Sequence, residues 1–184
     1  PIVGAGTEEW AADLMELAER RKGDVVTYPF RMEHGYMEAQ AGATFAVMPS
    51  FYEPFGAATE ASLAGTPVIA RATGGLTGQV VDHEEDKTRA TGFLFKEKLP
   101  LGASWPAIAS AGPDERVSVP LYVGMAEALY DSLRKAAAVY AKRPTSYGRM
   151  LANLYAKAET FSGERAAAGY QALYDLAVID EPRF

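Results

Sequence analysis

The fold is decided by the stretch FAVMPSFYEPFGAATEASLAGTPVIARATGGLTGQVVD, residues 45–82. Its first apolar run, 45–48, has the length of a buried strand and ends before a proline. The alanine-rich segment 57–64 is typical of a helix, and the segment 67–71, apolar up to its last residue, predicts a second strand. Strands that are apolar on both faces and alternate with helices indicate a parallel sheet covered on both sides.

The same alternation continues on either side of this stretch. Segments 8–22 and 33–43 predict helices, and segments 2–3, 25–28 and 92–95 predict strands. We therefore expect a doubly wound, Rossmann-like α/β domain over residues 1–122, with helices over residues 123–184 packing on the same domain. Within it, residues 97–120 contain repeated proline and glycine without any period, so they are expected to form an irregular insertion.

Composition narrows the class of protein. The chain has 184 residues, of which 48% are hydrophobic and 23% charged, as in an ordinary globular domain. Its 18 basic and 24 acidic residues give a net charge of −6, which argues against a nucleic-acid partner. No apolar run approaches the roughly 18 residues of a membrane span, so no membrane partner is expected. There is no cysteine and there are two histidines, which predicts a cytoplasmic protein without a metal site.

Two glycine loops are the candidate ligand-binding elements. Ligands of an open parallel sheet bind beyond the carboxyl ends of the strands, and the loops 50–56 and 73–76 both follow predicted strands. Gly56 would let the backbone approach a ligand closely. The N–H groups of Ala57 and Ala58 would open a helix, which is a favourable place for a phosphate group. Spacing alone is explained equally well by two tight strand-to-helix turns.

Two carboxylates flank the first loop. Glu53 precedes the helix and is expected to point into the crevice, whereas Glu60 falls in the first helical turn, where the helix dipole stabilises its charge. Carboxylates accept hydrogen bonds from hydroxyl groups and repel phosphate. The pair is therefore suited to the hydroxyl groups of a sugar nucleotide, while the alternative for Glu60 is a role in starting the helix.

The motifs of this stretch resemble those of one enzyme family. The MPS-x-x-E-P-x-G turn, the G-x-P-V strand start and the TGGL loop are similar to those of retaining glycosyltransferases of the GT-B fold, above all bacterial and archaeal glycogen and starch synthases. The flanks AGTEEWAADLMELAERRKGDVVTY, TGFLF and ETFSGERAAAGYQALYD are similar as well. The resemblance covers nearly all of the chain except residues 97–120.

The resemblance implies an activity. The chain would be the nucleotide-sugar-binding half of an enzyme that moves glucose from ADP-glucose or UDP-glucose to an α-1,4-glucan with retention, without a cofactor or a metal. Two alternatives stay open. One is another retaining GT-B transferase that makes trehalose, sucrose or a glycolipid, and the other is a non-catalytic binding module that has kept the fold.

The resemblance also implies roles for individual residues. Glu53 would hold hydroxyl groups of the transferred sugar as the catalytic residue, and Glu60 would bind the ribose. The donor's sugar and phosphates would face two loops, formed by Phe55, Gly56, Ala57 and Ala58 and by Thr73, Gly74 and Gly75. Phe30 and Arg31 match the place where the base is stacked, which leaves adenine and uracil open. The family has seven residues between the two glutamates and this chain has six, so we expect a loop shortened by one residue.

The opening residues PIVGAG are interpreted as the end of a strand that enters a tight turn. In the resembled fold the sheet order is 3-2-1-4-5-6, and residues 2–3 correspond to its second strand. The first strand, the basic residues that neutralise the diphosphate and the acceptor-binding domain are therefore expected upstream, in a longer polypeptide. The α-glucan acceptor would contact that missing domain, and the 184 residues alone are expected to bind nucleotide sugar weakly and to transfer nothing.

Overall fold

The computed structural model describes residues 2–3, 8–28, 32, 34–98 and 105–179. The chain divides into two compact units, Pro1–Ala39 and Gln40–Phe184, and each is described by itself. Residues 122 and 123, between which the C-terminal helices are predicted to begin, both lie in the second unit. A long helix runs through that point without a break and packs against the sheet, which keeps both sides of it in the second unit.

The first unit contains one strand–helix–strand (βαβ) motif. Strands β1 (Ile2–Val3) and β2 (Thr27–Tyr28) pair in parallel, and helix α1 (Glu8–Arg20) connects them. The predicted strand 25–28 is shorter than expected because the N–H of Val25 donates to the carbonyl of Arg21 at 2.9 Å, which makes the segment before it a turn. Within the described part of the predicted helix 33–43, the structure has helix α2 (Tyr36–Ala41).

The second unit contains a parallel sheet of three strands. β3 (Ala46–Met48), β4 (Val68–Arg71) and β5 (Gly92–Phe95) lie in the order β3-β4-β5, the neighbours expected for this part of the fold. Ile69 of β4 is paired with Val47 on one side and Phe93 on the other. All four residues of β4 are buried, as a central strand covered on both faces requires.

Helices cover both faces of this sheet. The side chains of β4 alternate: Ile69 belongs to a cluster with Phe93 and Met150, whereas Val68 and Ala70 belong to a second cluster. The first cluster is built with the long helices α7 (Pro120–Lys142) and α8 (Pro144–Glu159), and the second with α3 (Ala57–Leu63) and α4 (Leu76–Gln79). This arrangement confirms the predicted doubly wound α/β fold.

The last helix, α9 (Gly163–Ile179), differs from the others. Its side chains from 163 to 177 are all exposed, including Tyr170 and Tyr174, whose rings stack 6.4 Å apart. Among the residues that the structure describes, no helix has the length and the apolar character that a membrane span requires.

The prediction of an irregular insertion over 97–120 is wrong in its second half. Residues there form α5 (Trp105–Ser110) and α6 (Pro113–Arg116), and α7 already begins at Pro120. The prolines were interpreted as helix breakers, but Pro113 and Pro120 occupy first helical positions, where proline is favourable. Ile108 of α5 is buried against Leu121 and Met125 of α7, which supplies the packing that the sequence pattern did not reveal.

Candidate functional site

The loops that follow β3 and β4 meet at Glu53. The N–H of Gly75 donates to the backbone carbonyl of Glu53 at 2.7 Å, so the two loops are joined main chain to main chain. The half-buried carboxylate of Glu53 accepts a hydrogen bond from the Ser50 hydroxyl at 3.3 Å. The structure thus joins the second loop to the main chain of Glu53, while the carboxylate of Glu53 is bound within its own loop.

Glycine is required in the second loop by the closeness of the first. A Cβ atom on Gly74 would lie 2.4 Å from the carbonyl oxygen of Glu53, and one on Gly75 would lie 1.9 Å from that of Pro54. Gly74 also has a φ of +49°, which other residues rarely adopt. The resemblance implies that these glycines face the donor, and the structure shows that they also allow the close approach of one loop to the other. The Gly75 N–H is thereby engaged within the protein.

The first loop passes directly into α3. Gly56 precedes the helix with a φ of +119°, and its carbonyl accepts the N–H of Glu60 at 2.9 Å. Ala57 and Ala58 are the first two helical residues, and their N–H groups have no acceptor within the helix, as at every helix start. This geometry is the one expected for a site that receives negatively charged oxygen atoms.

The remaining predicted site residues differ in their exposure to solvent and in the contacts that they make. Glu60 lies in the first turn of α3 with an exposed side chain, in contrast to the half-buried Glu53. The Phe55 ring is 55% exposed and touches Phe161 edge to face at 5.3 Å. Thr73 donates its hydroxyl proton to the carbonyl of Phe51 at 3.1 Å. Phe30 and Arg31, the predicted base-stacking residues, lie outside the described residues.

Sequence analysis did not single out Arg71, yet the structure shows that its side chain binds the first glycine loop. It is the last residue of β4 and only 3% exposed. Its Nε and Nη2 donate to the two carboxylate oxygens of Glu97, which follows β5, and its Nη1 donates to the Phe51 carbonyl at 2.9 Å. The signal in the sequence was an arginine at the end of an otherwise apolar strand, two residues before the glycine loop.

The electrostatic state of Glu97 follows from this pairing. Burial raises the pKa of Glu97, but the hydrogen bond and charge of Arg71, together with a backbone hydrogen bond and the nearby Lys96, outweigh it and lower the net pKa below its ordinary value. Glu97 is therefore ionised at neutral pH although only 4% of the residue is exposed. A buried carboxylate stays charged because the guanidinium forks onto both of its oxygens.

A second buried polar side chain lies under the second loop. Gln79 of α4 is 3% exposed and accepts a hydrogen bond from the Thr59 hydroxyl at 3.2 Å, which links α4 to α3. Its Nε2 atom is buried, and no described residue forms a hydrogen bond with it. This atom would lie 2.8 Å from a Cβ on Gly75, so the amide fills the space beneath that glycine.

A groove of about 760 Å³ lies elsewhere, between β5 and α7. Phe95, Lys96, Glu127 and Lys135 are among the residues that line it. None of the predicted site residues does, so the groove is separate from the two glycine loops.

Comparison with known proteins bears directly on this geometry. Residues 2–103, more than half of the chain, match the family model described as glycosyl transferases group 1. The chain belongs to this family. The match contains both glycine loops, Glu53, Glu60 and the Arg71–Glu97 pair, so the site described above is made of residues within the family's own segment.

Curated relatives of this group 1 chain are glycogen synthases. The enzyme of Aeromonas hydrophila is 31% identical over 181 residues, which is 96% of this chain and 31% of the relative. Glycogen synthase 2 of Nitrosococcus oceani is 33% identical over 187 residues, or 98% of this chain and 32% of the relative. The chain thus spans about a third of the length of the curated relatives it matches.

Solved structures share the fold. The catalytic domain of starch synthase IV from Arabidopsis thaliana, bound to ADP and acarbose, superposes with a TM-score of 0.64 at 21% identity, over 96% of this chain and 32% of that one. Sucrose-phosphate synthase from Thermosynechococcus elongatus superposes with a TM-score of 0.57 at 25% identity, over 97% and 38%. The Rossmann-like arrangement is therefore shared with transferases of this fold.

Proposed function

We propose that this chain is the donor-binding part of a glucosyltransferase that moves glucose from ADP-glucose or UDP-glucose to an α-1,4-glucan with retention. The observation that carries the proposal is the junction of the two glycine loops at Glu53, where the Gly75 N–H meets the Glu53 carbonyl at 2.7 Å. Glycogen synthases as relatives support the same donor and acceptor classes.

In this proposal the residues of the site orient the donor. The Glu53 carboxylate accepts hydrogen bonds from hydroxyl groups of the glucosyl unit, and the start of α3 at Ala57 and Ala58 faces the diphosphate, whose charge the helix dipole favours. Glu60 accepts hydrogen bonds from the ribose. Holding the anomeric carbon and the leaving diphosphate in a fixed geometry lowers the barrier because the orientation is fixed before the bond breaks.

Donor binding to the 184-residue chain tests the proposal directly. Isothermal titration with ADP-glucose and UDP-glucose should show binding of at least one of them. Glu53→Gln should weaken it by about 1.5–3 kcal/mol, the range for a hydrogen bond to a charged group. Glu127→Gln is the matched control, because Glu127 is exposed on α7. Both variants should keep the melting temperature of the wild type.

The titration can also reject the proposal. A folded chain that binds neither sugar nucleotide would favour a non-catalytic module that has kept the fold. Equal affinities of the wild type and Glu53→Gln would remove Glu53 from the site.

The likeness to sucrose-phosphate synthase favours a second candidate, a transferase of the same fold with a different acceptor. A chimaera in which this chain replaces the matched part of the Aeromonas hydrophila glycogen synthase tests the feature that both candidates share, the donor half, because the acceptor domain is then that of the relative. Elongation of a labelled glucan primer, sharply reduced by Glu53→Ala, is expected if this chain binds and orients the donor. Elongation that is indifferent to Glu53→Ala would contradict the catalytic role of this carboxylate.

A further inference from the structure

Arg71 joins three segments that are far apart in the sequence. Its guanidinium binds Glu97 with Nε and Nη2 and the carbonyl of Phe51 with Nη1, and its Cζ atom lies 5.1 Å from the centre of the Trp105 ring. These contacts come from the loop after β3, the residues after β5 and helix α5. A single buried cation is thus the common partner of the first loop and of the segment that follows β5.

The backbone carbonyl of Phe51 accepts two hydrogen bonds. It accepts one hydrogen bond from Arg71 at 2.9 Å and another from the Thr73 hydroxyl at 3.1 Å, which uses both lone pairs of the oxygen. The ring of the same residue is held as well, since it meets Trp105 edge to face at 5.7 Å and Tyr122 at 6.5 Å. Phe51 is therefore fixed at both its backbone and its side chain.

Fixing Phe51 fixes Glu53, which is two residues further along the loop. Between Phe51 and the Gly75 contact at the Glu53 carbonyl, Tyr52 is the one intervening residue and is 70% exposed. The loop is thus attached to the second glycine loop at Glu53 and to Arg71 and α5 at Phe51. If the attachment at Phe51 were lost, the contact with Gly75 would remain to fix Glu53.

We propose that Arg71, braced by Glu97 and Trp105, is a positioning residue that sets the Glu53 loop for donor binding, and that Glu97 and helix α5 act on the site through it. The inference rests on the proposed donor function and adds to it a residue and a segment without direct donor contact. Arg71 acts through Phe51, so its removal displaces Glu53 without removing any group that the donor touches.

The experiment measures donor affinity and loop protection side by side. Arg71→Lys keeps the charge but loses the fork and the second direction of donation. Trp105→Leu removes the ring above the guanidinium, and Trp105→Phe restores an aromatic face. The control is Tyr147→Leu: the Tyr147 hydroxyl binds the Thr44 carbonyl at 2.9 Å, before β3, so it supports the same sheet from the opposite end.

Affinity for whichever of ADP-glucose and UDP-glucose binds the wild type is measured below the unfolding transition of every variant. Arg71→Lys should raise the dissociation constant at least about tenfold, the equivalent of one hydrogen bond in the loop. Trp105→Leu should raise it by a smaller factor, and Trp105→Phe and Tyr147→Leu should match the wild type. Amide hydrogen exchange at Gly75, whose N–H is bound to Glu53, should accelerate in the same order.

The affinity and exchange measurements can each contradict the proposed role of Arg71. Wild-type affinity and wild-type exchange in Arg71→Lys would overturn the proposal, as would equal losses in Tyr147→Leu, which would show a general effect of lowered stability. If Arg71→Lys does not fold, Trp105→Leu and Trp105→Phe carry the same comparison. If the wild type binds neither donor, the proposed function fails, and hydrogen exchange alone decides whether Arg71 holds the loop.

Discussion

The two ends of the three-stranded sheet each carry an arginine–carboxylate pair, and the pairs do different things. At the carboxyl end, Arg71 and Glu97 are 3% and 4% exposed. At the amino end, in the turn before β5, Arg89 binds Asp86 at 2.6 Å with 82% of the arginine side chain exposed. Both are arginine–carboxylate ion pairs, but the first is buried and the arginine of the second is exposed to solvent.

The difference lies in what each pair organises. Asp86 accepts the N–H groups of Thr88 and Arg89 at 2.9 and 3.0 Å, so the exposed pair shapes only its own turn. The buried pair instead binds the carbonyl of Phe51, 20 residues away, and lies under a loop of the candidate site. An ion pair holds distant elements together where water is excluded from it.

The comparison predicts its largest effect for the two arginines. Arg71→Met leaves the Glu97 carboxylate buried and unpaired, and should lower the free energy of unfolding by about 3–5 kcal/mol. Arg89→Met, the matched substitution at the exposed pair, should lower the urea midpoint only slightly. Urea denaturation followed by circular dichroism gives both values, and similar losses in the two variants would break the comparison.

A second prediction separates close backbone approach from ordinary loop flexibility. Gly75→Ala should destabilise the protein by about 1–3 kcal/mol, because its Cβ would overlap the Pro54 carbonyl and the loops would have to part. Gly78→Ala, three residues on, meets nothing within 4 Å and should be neutral or slightly stabilising. Thermal melts compare the two, and a neutral Gly75→Ala would show that the loops are not tightly joined.

A third prediction concerns an exposed carboxylate at the binding end. Glu60→Ala should weaken donor affinity by about 1–3 kcal/mol without altering the melting temperature, as expected for one hydrogen bond to a charged group. Titration against the Glu127→Ala control measures it. An unchanged affinity would mean that the six-residue spacing has turned Glu60 away from the ribose.

The smallest effect distinguishes the pairs by pH and salt. The pKa of Glu97 is lowered despite burial, and hydrogen bonds from Arg89 lower that of Asp86. Both contributions to stability are therefore present above the ordinary carboxyl pKa values of 4.5 and 3.8 and are lost as the pH falls through the lowered ones. Urea midpoints of Glu97→Gln and Asp86→Asn should approach the wild type over this acid range.

Salt separates the two contributions, because it screens exposed charges more than buried ones. In 1 M sodium chloride, about a 3 Å Debye length, the difference between Asp86→Asn and the wild type at neutral pH should vanish while that of Glu97→Gln persists. Loss of both differences in salt would place Glu97 in contact with solvent.

Local pattern was enough to predict the parallel sheet and both glycine loops. The run at β4 is apolar at every position before Arg71, and this continuity indicates burial on two faces wherever the strand lies. The same pattern located Glu53 and the start of α3 because turn residues and helix starts are signalled within a few positions. These features depend on neighbours in the sequence.

What sequence reasoning missed depends on distant partners. Arg71 and Glu97 are 26 residues apart, and nothing near either one identifies the other. The helices α5 and α6 were missed because the prolines and glycines of this stretch suggested an irregular segment, and the packing of Ile108 of α5 against α7 could not be inferred from local pattern. Sequence analysis placed Gly74 and Gly75 in a loop after a strand, but their spacing did not reveal that this loop packs against the first loop at Glu53 and Pro54.

The contact of the second loop with Glu53 and Pro54 has a consequence for how the length of the first loop can vary. A residue inserted or deleted before Pro54 would move the carbonyl that Gly75 binds, and both loops would shift together. A change between Phe55 and Gly56 leaves that junction intact and alters only the angle at which α3 begins. A residue added between Phe55 and Gly56 should therefore redirect Glu60 while the two glycine loops stay joined.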